Sequence, residues 1–241
     1  MIERVDGGYA ATYLIHGKNG WVVVDPGTRL AADLTATRIG KAPVSLIFAT
    51  HFHIDHIGGI ERLLAYYPDA VVMFSAGAMP YASKRKRIPV PRFRRWIVGL
   101  IPIIPRLSHP LRNLYQGVIS AKTGMPFFVF RKASKVGYPF QCRLQEGQDI
   151  HGLEGWRIIE TPGHTPDSIC IYHQDSRSLI SGDTILNISG CGELNRFCCS
   201  WTDIEKSFRK LSALPVENLY PGHGASLCGI QDVLARVQIR P

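Results

Sequence analysis

Four potential metal ligands occupy six positions of one stretch, Thr50-His51-Phe52-His53-Ile54-Asp55-His56-Ile57-Gly58-Gly59. It follows directly on the apolar run Val44-Ser45-Leu46-Ile47-Phe48-Ala49, which has the length and composition of a buried strand. Three imidazoles and a carboxylate at a strand mouth are hard to explain as packing, because each would need its own polar partner once buried. A shared cation satisfies them together. Neutral imidazole nitrogen and anionic carboxylate oxygen suit zinc first, and also accept iron or manganese.

The rest of the chain repeats the same arrangement. Ala10–His16 and Trp21–Val24 flank Gly17-Lys18-Asn19-Gly20 and predict a hairpin. Arg29–Ile39 has helical spacing of Ala and Leu, Ile57–Tyr67 has apolar residues at helical spacing, and Val71–Phe74 reads as a short strand. After Glu146, strands are expected at Trp156–Glu160, Ser168–His173, Ser178–Ser181 and Glu217–Tyr220. A helix is expected at Trp201–Leu211, capped by Thr202 or Asp203, and another at Ile230–Val237. Strand and helix alternate as in an α/β fold. Four strands end in Gly, Pro or Thr turns that carry His51, His164, Asp183 and His223. Side chains at strand ends are held by the sheet yet stay open to solvent, as binding and catalysis require.

Charge is distributed unevenly. The formal net charge is +9, but the residues between Asp69 and Glu146 hold fourteen of the 28 Lys and Arg and none of the nineteen acids. Within this span, residues 75–140 break the strand–helix rhythm and contain eight of the sixteen prolines, the tract Lys84-Arg85-Lys86-Arg87 and the apolar run Trp96–Pro105. They are expected to form a basic, proline-rich insertion or cap within a single domain spanning 1–241. A solvated basic face with a small core of its own is the alternative.

The run from Trp96 is too short to cross a bilayer as a helix and contains prolines. No basic segment followed by an apolar one opens the sequence, and the six cysteines show no CxxC spacing, so a cytoplasmic protein with reduced thiols is expected.

The motifs Thr50–Gly59, Thr161-Pro-Gly-His-Thr-Pro166, Ser181-Gly-Asp183 and Tyr220-Pro-Gly-His223 resemble those of the metallo-β-lactamase superfamily, in its glyoxalase II-like and lactonase-like branch. The resemblance covers Tyr9–Ala70 and Glu146 onward, and leaves out Ser75–Phe140. It implies a four-layer αβ/βα sandwich with two divalent metal ions at one edge. His51, His53 and His164 would hold one ion, Asp55, His56 and His223 the other, and Asp183 would bridge them. Asp25 matches the family's supporting aspartate. A water shared by such a pair is activated as hydroxide near neutral pH, with Asp55 as the catalytic carboxylate that orients it or carries its proton. Asp183 stands where zinc β-lactamases of the commonest subclass carry Cys, which argues against antibiotic hydrolysis. The tyrosine that lactonases carry shortly after this aspartate is absent from Thr184–Gly190. No G-x-S-x-G elbow supports a serine nucleophile.

These features point to hydrolysis of an ester, thioester or lactone in a small anionic or acylated substrate, with the insertion as lid. Two alternatives use the positive charge differently. One is phosphodiester cleavage in nucleic acid, and the other is docking of the insertion on anionic lipid at a membrane periphery or on a partner protein. An apolar, proline-rich insertion also offers a homodimer surface.

Overall fold

A computed structural model describes residues 2–7, 9–82, 85–86 and 140–240. One sheet has the order β1 (Ile2–Asp6), β2 (Ala11–Gly17), β3 (Gly20–Val24), β4 (Val44–Phe48), β5 (Val71–Ser75), β6 (Phe140–Leu144). Its first three strands pair antiparallel and its last three join in parallel. The second sheet runs β13 (Asn218–Pro221), β10 (Ser178–Gly182), β9 (Ile169–His173), β8 (Leu153–Glu160), β7 (Asp149–Ile150). It is antiparallel except where β13 lies parallel to β10. A small ribbon pairs β11 (Ile185–Leu186) with β12 (Glu193–Leu194).

Alternation along the strands builds three cores and hence four layers. Tyr13, Val22, Val24, Leu46 and Phe48 face Trp156, Ile158, Ile169, Ile171 and Ile180 between the two sheets. Their neighbours Leu14, Val23 and Ile47 point the other way, against the helices α1 (Arg29–Ile39) and α3 (Ile60–Tyr66). On the far side Ile159, Cys170, Tyr172 and Leu179 pack on α5 (Trp201–Leu211) and the 3-10 turn Val233–Arg236. Each fully buried aliphatic or aromatic side chain contributes roughly 1.5 to 3 kcal/mol, so a one-residue slip in any central strand, which turns every side chain to the opposite face, would mispack two cores at once.

Several boundaries differ from the sequence expectation. The predicted helix from Ile57 is two pieces, α2 (Ile54–Ile57) and α3, broken at Gly58-Gly59. A Cβ at Gly59 would lie 2.3 Å from the Pro26 carbonyl oxygen, so the chain turns where backbone meets backbone. The cap of α5 is Ser200, whose Oγ accepts the Asp203 N–H at 3.3 Å, rather than Thr202 or Asp203. The closing helix is only the 3-10 turn Val233–Arg236. The edge strands β1, β6 and β7 and the β11–β12 ribbon were not anticipated, being short or polar.

The expected insertion at 75–140 falls largely outside the described residues, and with it the basic tract and the apolar run from Trp96. Its first residues continue the scaffold: after β5, a 3-10 turn (Ala76–Ala78) and α4 (Met79–Ala82) bury Ala78 and Tyr81 in the core beneath the first sheet. No helix among the described residues is long and apolar enough to cross a membrane.

Candidate metal centre

The four strand ends singled out in the sequence meet at one edge of the sandwich. His51 and His53 follow β4, and Asp55 and His56 lie in α2. His164 follows β8, Asp183 follows β10, and His223 follows β13. The edge is stitched across the sheets, since Ala11 N–H donates to the Gly222 carbonyl at 2.7 Å and Ile169 N–H to the Thr50 carbonyl at 2.9 Å. Tyr13 Oη donates to the Pro221 carbonyl at 2.6 Å.

Two groups of ligand atoms result: His51, His53, His164 and Asp183 in one, and Asp55, His56 and His223 in the other. In the first, His51 Nε2, His53 Nδ1 and His164 Nε2 form a triangle with sides of 3.1, 3.2 and 2.9 Å. Nitrogens bound to one tetrahedral zinc lie about 3.3 Å apart. In the second, His223 Nε2 is 3.2 Å from Asp55 Oδ2, and His56 Nε2 is 3.7 Å from the same oxygen. Asp183 spans both, with Oδ2 at 3.5 Å from His164 Nε2 and 3.4 Å from His223 Nε2, and Oδ1 at 3.3 Å from His56 Nε2.

The donor set fits divalent metal. His56 Nε2 and Asp183 Oδ1 are buried with no hydrogen-bond partner, an arrangement that costs roughly 1 to 3 kcal/mol or more per group unless something satisfies it. Supporting hydrogen bonds aim the free lone pairs inward. Asp25 accepts the Thr50 N–H at 2.7 Å, the Thr50 hydroxyl at 2.9 Å and His56 Nδ1 at 2.9 Å. Thr50 Oγ1 has then spent its proton and accepts from His51 Nδ1 at 3.1 Å. Asp25 holds this position with φ of 53°, a left-handed conformation unusual for a non-glycine residue. His164 Nδ1 donates to the Phe197 carbonyl at 2.5 Å. His51, His56 and His164 are thereby left presenting Nε2.

Electrostatics separate the groups. Burial and the neighbouring imidazoles hold His51 well below the usual histidine range and push His53 down to about 3. Burial also lowers His164, against the pull of Asp183. Burial works against charge on His56 and His223 as well, but Asp25, Asp183 and Asp55 together outweigh it at His56, and Asp183 and Asp55 carry His223 up to about 10. Against their own burial, Asp183 is held well below the carboxylate range by His223 and His56, and Asp55 is lowered by His56 and His223.

Two glycines are sterically required. At Gly182, with φ of 49°, a Cβ would lie 2.4 Å from Thr50 Oγ1. At Gly222 it would lie 2.3 Å from Asp183 Oδ1 and 2.9 Å from His56 Cε1.

The structure adds residues that sequence spacing did not indicate. Asn195 Oδ1 accepts the Phe197 N–H at 2.9 Å, fixing the turn whose carbonyl holds His164. Cys199 N–H donates to the His164 carbonyl at 3.1 Å. The cysteine-containing loop Cys191–Cys199 thus clamps a ligand through its backbone, and the Phe197 ring stands 6.2 Å from that of His53 and 6.0 Å from that of His164. Tyr9 meets the His223 ring edge-on at 5.2 Å. His16, His151 and His173 lie outside both groups.

Two adjoining His and carboxylate clusters at the edge of a four-layer α/β sandwich define a metal-dependent hydrolase with a dinuclear centre. The chain belongs to the metallo-beta-lactamase superfamily, whose family model matches residues 5–223. It is 25% identical over 252 residues to the probable metallo-hydrolase YqjP of Bacillus subtilis (strain 168), covering 95% of this chain and 71% of that one. It is 26% identical over 214 residues to a hydroxyacylglutathione hydrolase of Francisella tularensis subsp. novicida, covering 88% of this chain but only 61% of the relative. The fold matches that of TTHA1623, solved in a di-iron-bound form, with a TM-score of 0.55, 20% identity and coverage of 94% and 93% of the two chains.

Proposed function

We propose that this hydrolase cleaves an ester, thioester or lactone bond in a small anionic or acylated substrate. The observation that carries the site assignment is Asp183, placed between two ligand groups with one carboxylate oxygen toward His164 and His223 and the other, unsatisfied, toward His56. His51, His53 and His164 would hold one ion, Asp55, His56 and His223 the second, and Asp183 both. Zinc suits these donors first; the di-iron form of TTHA1623 keeps iron in view. The hydroxyacylglutathione hydrolases among the relatives support an acyl bond as target.

When bound, the ion pair would lower the pKa of water and polarise the scissile group. The protein's own residues supply the rest. Asp55 touches His223 through Oδ2, which leaves its other oxygen to orient the attacking water and to hand a proton to the leaving group. Phe197 forms an apolar wall on the His53 side and keeps bulk water from that flank. Residues 75–140 would form the lid of a single domain, their arginines and lysines drawing in an anionic substrate in the cytoplasm.

The same charge supports a second reading, phosphodiester cleavage in nucleic acid, and leaves lipid docking or homodimerisation as further roles for the insertion. Lactones, acyl thioesters and phosphodiesters, assayed on zinc-loaded and iron-loaded protein beside Asp183→Asn, decide between these readings. Turnover of the acyl substrates that is lost in the variant is expected; cleavage confined to phosphodiesters would replace the acyl reading.

A further inference from the structure

Hydrolysis of an acyl bond places negative charge on the substrate's former carbonyl oxygen, and a preorganised hydrogen-bond donor at that point accelerates the step. Three imidazole donors of the two ligand groups are already committed. The Nδ1 atoms of His51, His56 and His164 are taken by Thr50, Asp25 and Phe197, and Asp55 and Asp183 offer only acceptor oxygens when ionised.

Tyr9 is different. It lies in the loop between β1 and β2, and that loop is fastened to the His223 turn by the Ala11 N–H bond to the Gly222 carbonyl. Its half-buried ring stands perpendicular to the His223 imidazole, at 86° and 5.2 Å. The imidazole it packs on reaches both carboxylates of the centre, with His223 Nε2 3.2 Å from Asp55 Oδ2 and 3.4 Å from Asp183 Oδ2. A phenol at neutral pH carries its proton, so this is an O–H donor at the rim of a site lined with acceptors.

We infer that Tyr9 is a catalytic residue whose hydroxyl donates a hydrogen bond to the substrate oxygen that gains charge, on the Asp55–His223 side of the centre. The proton stays on the phenol throughout; no bond to Tyr9 forms or breaks. Of the two aromatic rings that flank the ligand groups, Phe197 has no polar atom on its side chain and Tyr9 has a hydroxyl, so the developing oxyanion belongs beside Tyr9.

The inference rests on the acyl-hydrolase reading for its substrate, but a phosphate oxyanion can test it without one. Tyr9→Phe keeps the ring and removes only the oxygen. In zinc-loaded protein, calorimetric binding of inorganic phosphate and methylphosphonate is expected to weaken about tenfold in the variant, with zinc content unchanged by elemental analysis. On any acyl substrate the native enzyme turns over, kcat should fall about 100-fold, with KM within about threefold. Phosphate and methylphosphonate affinities within twofold of native would overturn the role of Tyr9, whichever substrates are hydrolysed. If those affinities fall while the native enzyme hydrolyses no acyl substrate, Tyr9 stands and the acyl reading fails. A variant that loses zinc as well shows Tyr9 to be a support for His223, which also overturns the inference.

Discussion

The two halves of the centre lie side by side and are built on opposite electrostatic plans. The half formed by His51, His53 and His164 is an assembly of imidazoles that burial keeps neutral, with lone pairs aimed at one another across about 3 Å. The half formed by Asp55, His56 and His223 is rich in carboxylate, and its histidines are drawn toward the protonated state. In the first half the three imidazoles converge as lone pairs, with burial holding protons off them. The second can hold protons where a metal would sit, so a metal must displace them. Asp183 is common to both, and the difference between the halves is felt through it.

The largest effect should come from Asp183→Asn, which leaves the shape and removes the charge. Loss of hydrolysis should exceed the 10 to 100-fold typical of residues that only support a ligand, with less than two equivalents of zinc retained by elemental analysis. Full metal content with native turnover would remove Asp183 from its place between the halves.

Next comes the clamp on the all-histidine half. Asn195→Ala frees the turn that presents the Phe197 carbonyl, so competitive chelator titration should show metal affinity falling about 10 to 100-fold for one of two sites. An equal fall at both would mean that the halves are not separable.

The protonation difference is measurable at smaller amplitude. Zinc binding near pH 7, followed by calorimetry in buffers of different ionisation enthalpy, should release about two protons for the half containing His56 and His223 and close to none for the other. Equal release from both halves would erase the electrostatic distinction.

Smallest in its consequence for activity is Asp167, a buried acid outside both ligand groups. Burial lifts its carboxyl to about 7, against hydrogen bonds from Thr165 and backbone amides. Its folded value is raised, so its contribution to stability is complete below the unfolded value near 3.8 and is lost as pH rises toward 7. Asp167→Asn should flatten this loss: thermal melts at pH 5 and pH 8 should converge relative to native by the order of 2 to 4 kcal/mol. An unchanged difference between the two melts would show that Asp167 titrates as in the unfolded chain.

Ligands were legible in the sequence where they sit at strand ends, because a strand announces itself by its apolar run and the turn that follows carries the chemistry. His51, His164, Asp183 and His223 were read in this way, and the structure gathers them at one edge. The clamp on His164 was not legible, since it uses the carbonyl of Phe197 and a peptide group carries no residue-type signal. Tyr9 escaped for a related reason: it lies 214 positions from the histidine it packs on, and only the sheet topology brings them together. Ser200 was passed over as a cap because Thr202 and Asp203 are equally capable side chains, and backbone geometry decides among them. The strand β1 alternates weakly between polar and apolar residues, so its pairing with β2, and not its own sequence, makes it a strand.

The ligands also have a distribution across the sandwich. His51, His53, Asp55 and His56 follow a strand of one sheet, whereas His164, Asp183 and His223 follow strands of the other. Any ion held by either group therefore grips both sheets, and the centre is a clasp as well as a reaction site. Its mechanical corollary is that a force pulling the sheets apart at this edge loads the coordination bonds before it loads the apolar core, so resistance to such a force should follow metal occupancy.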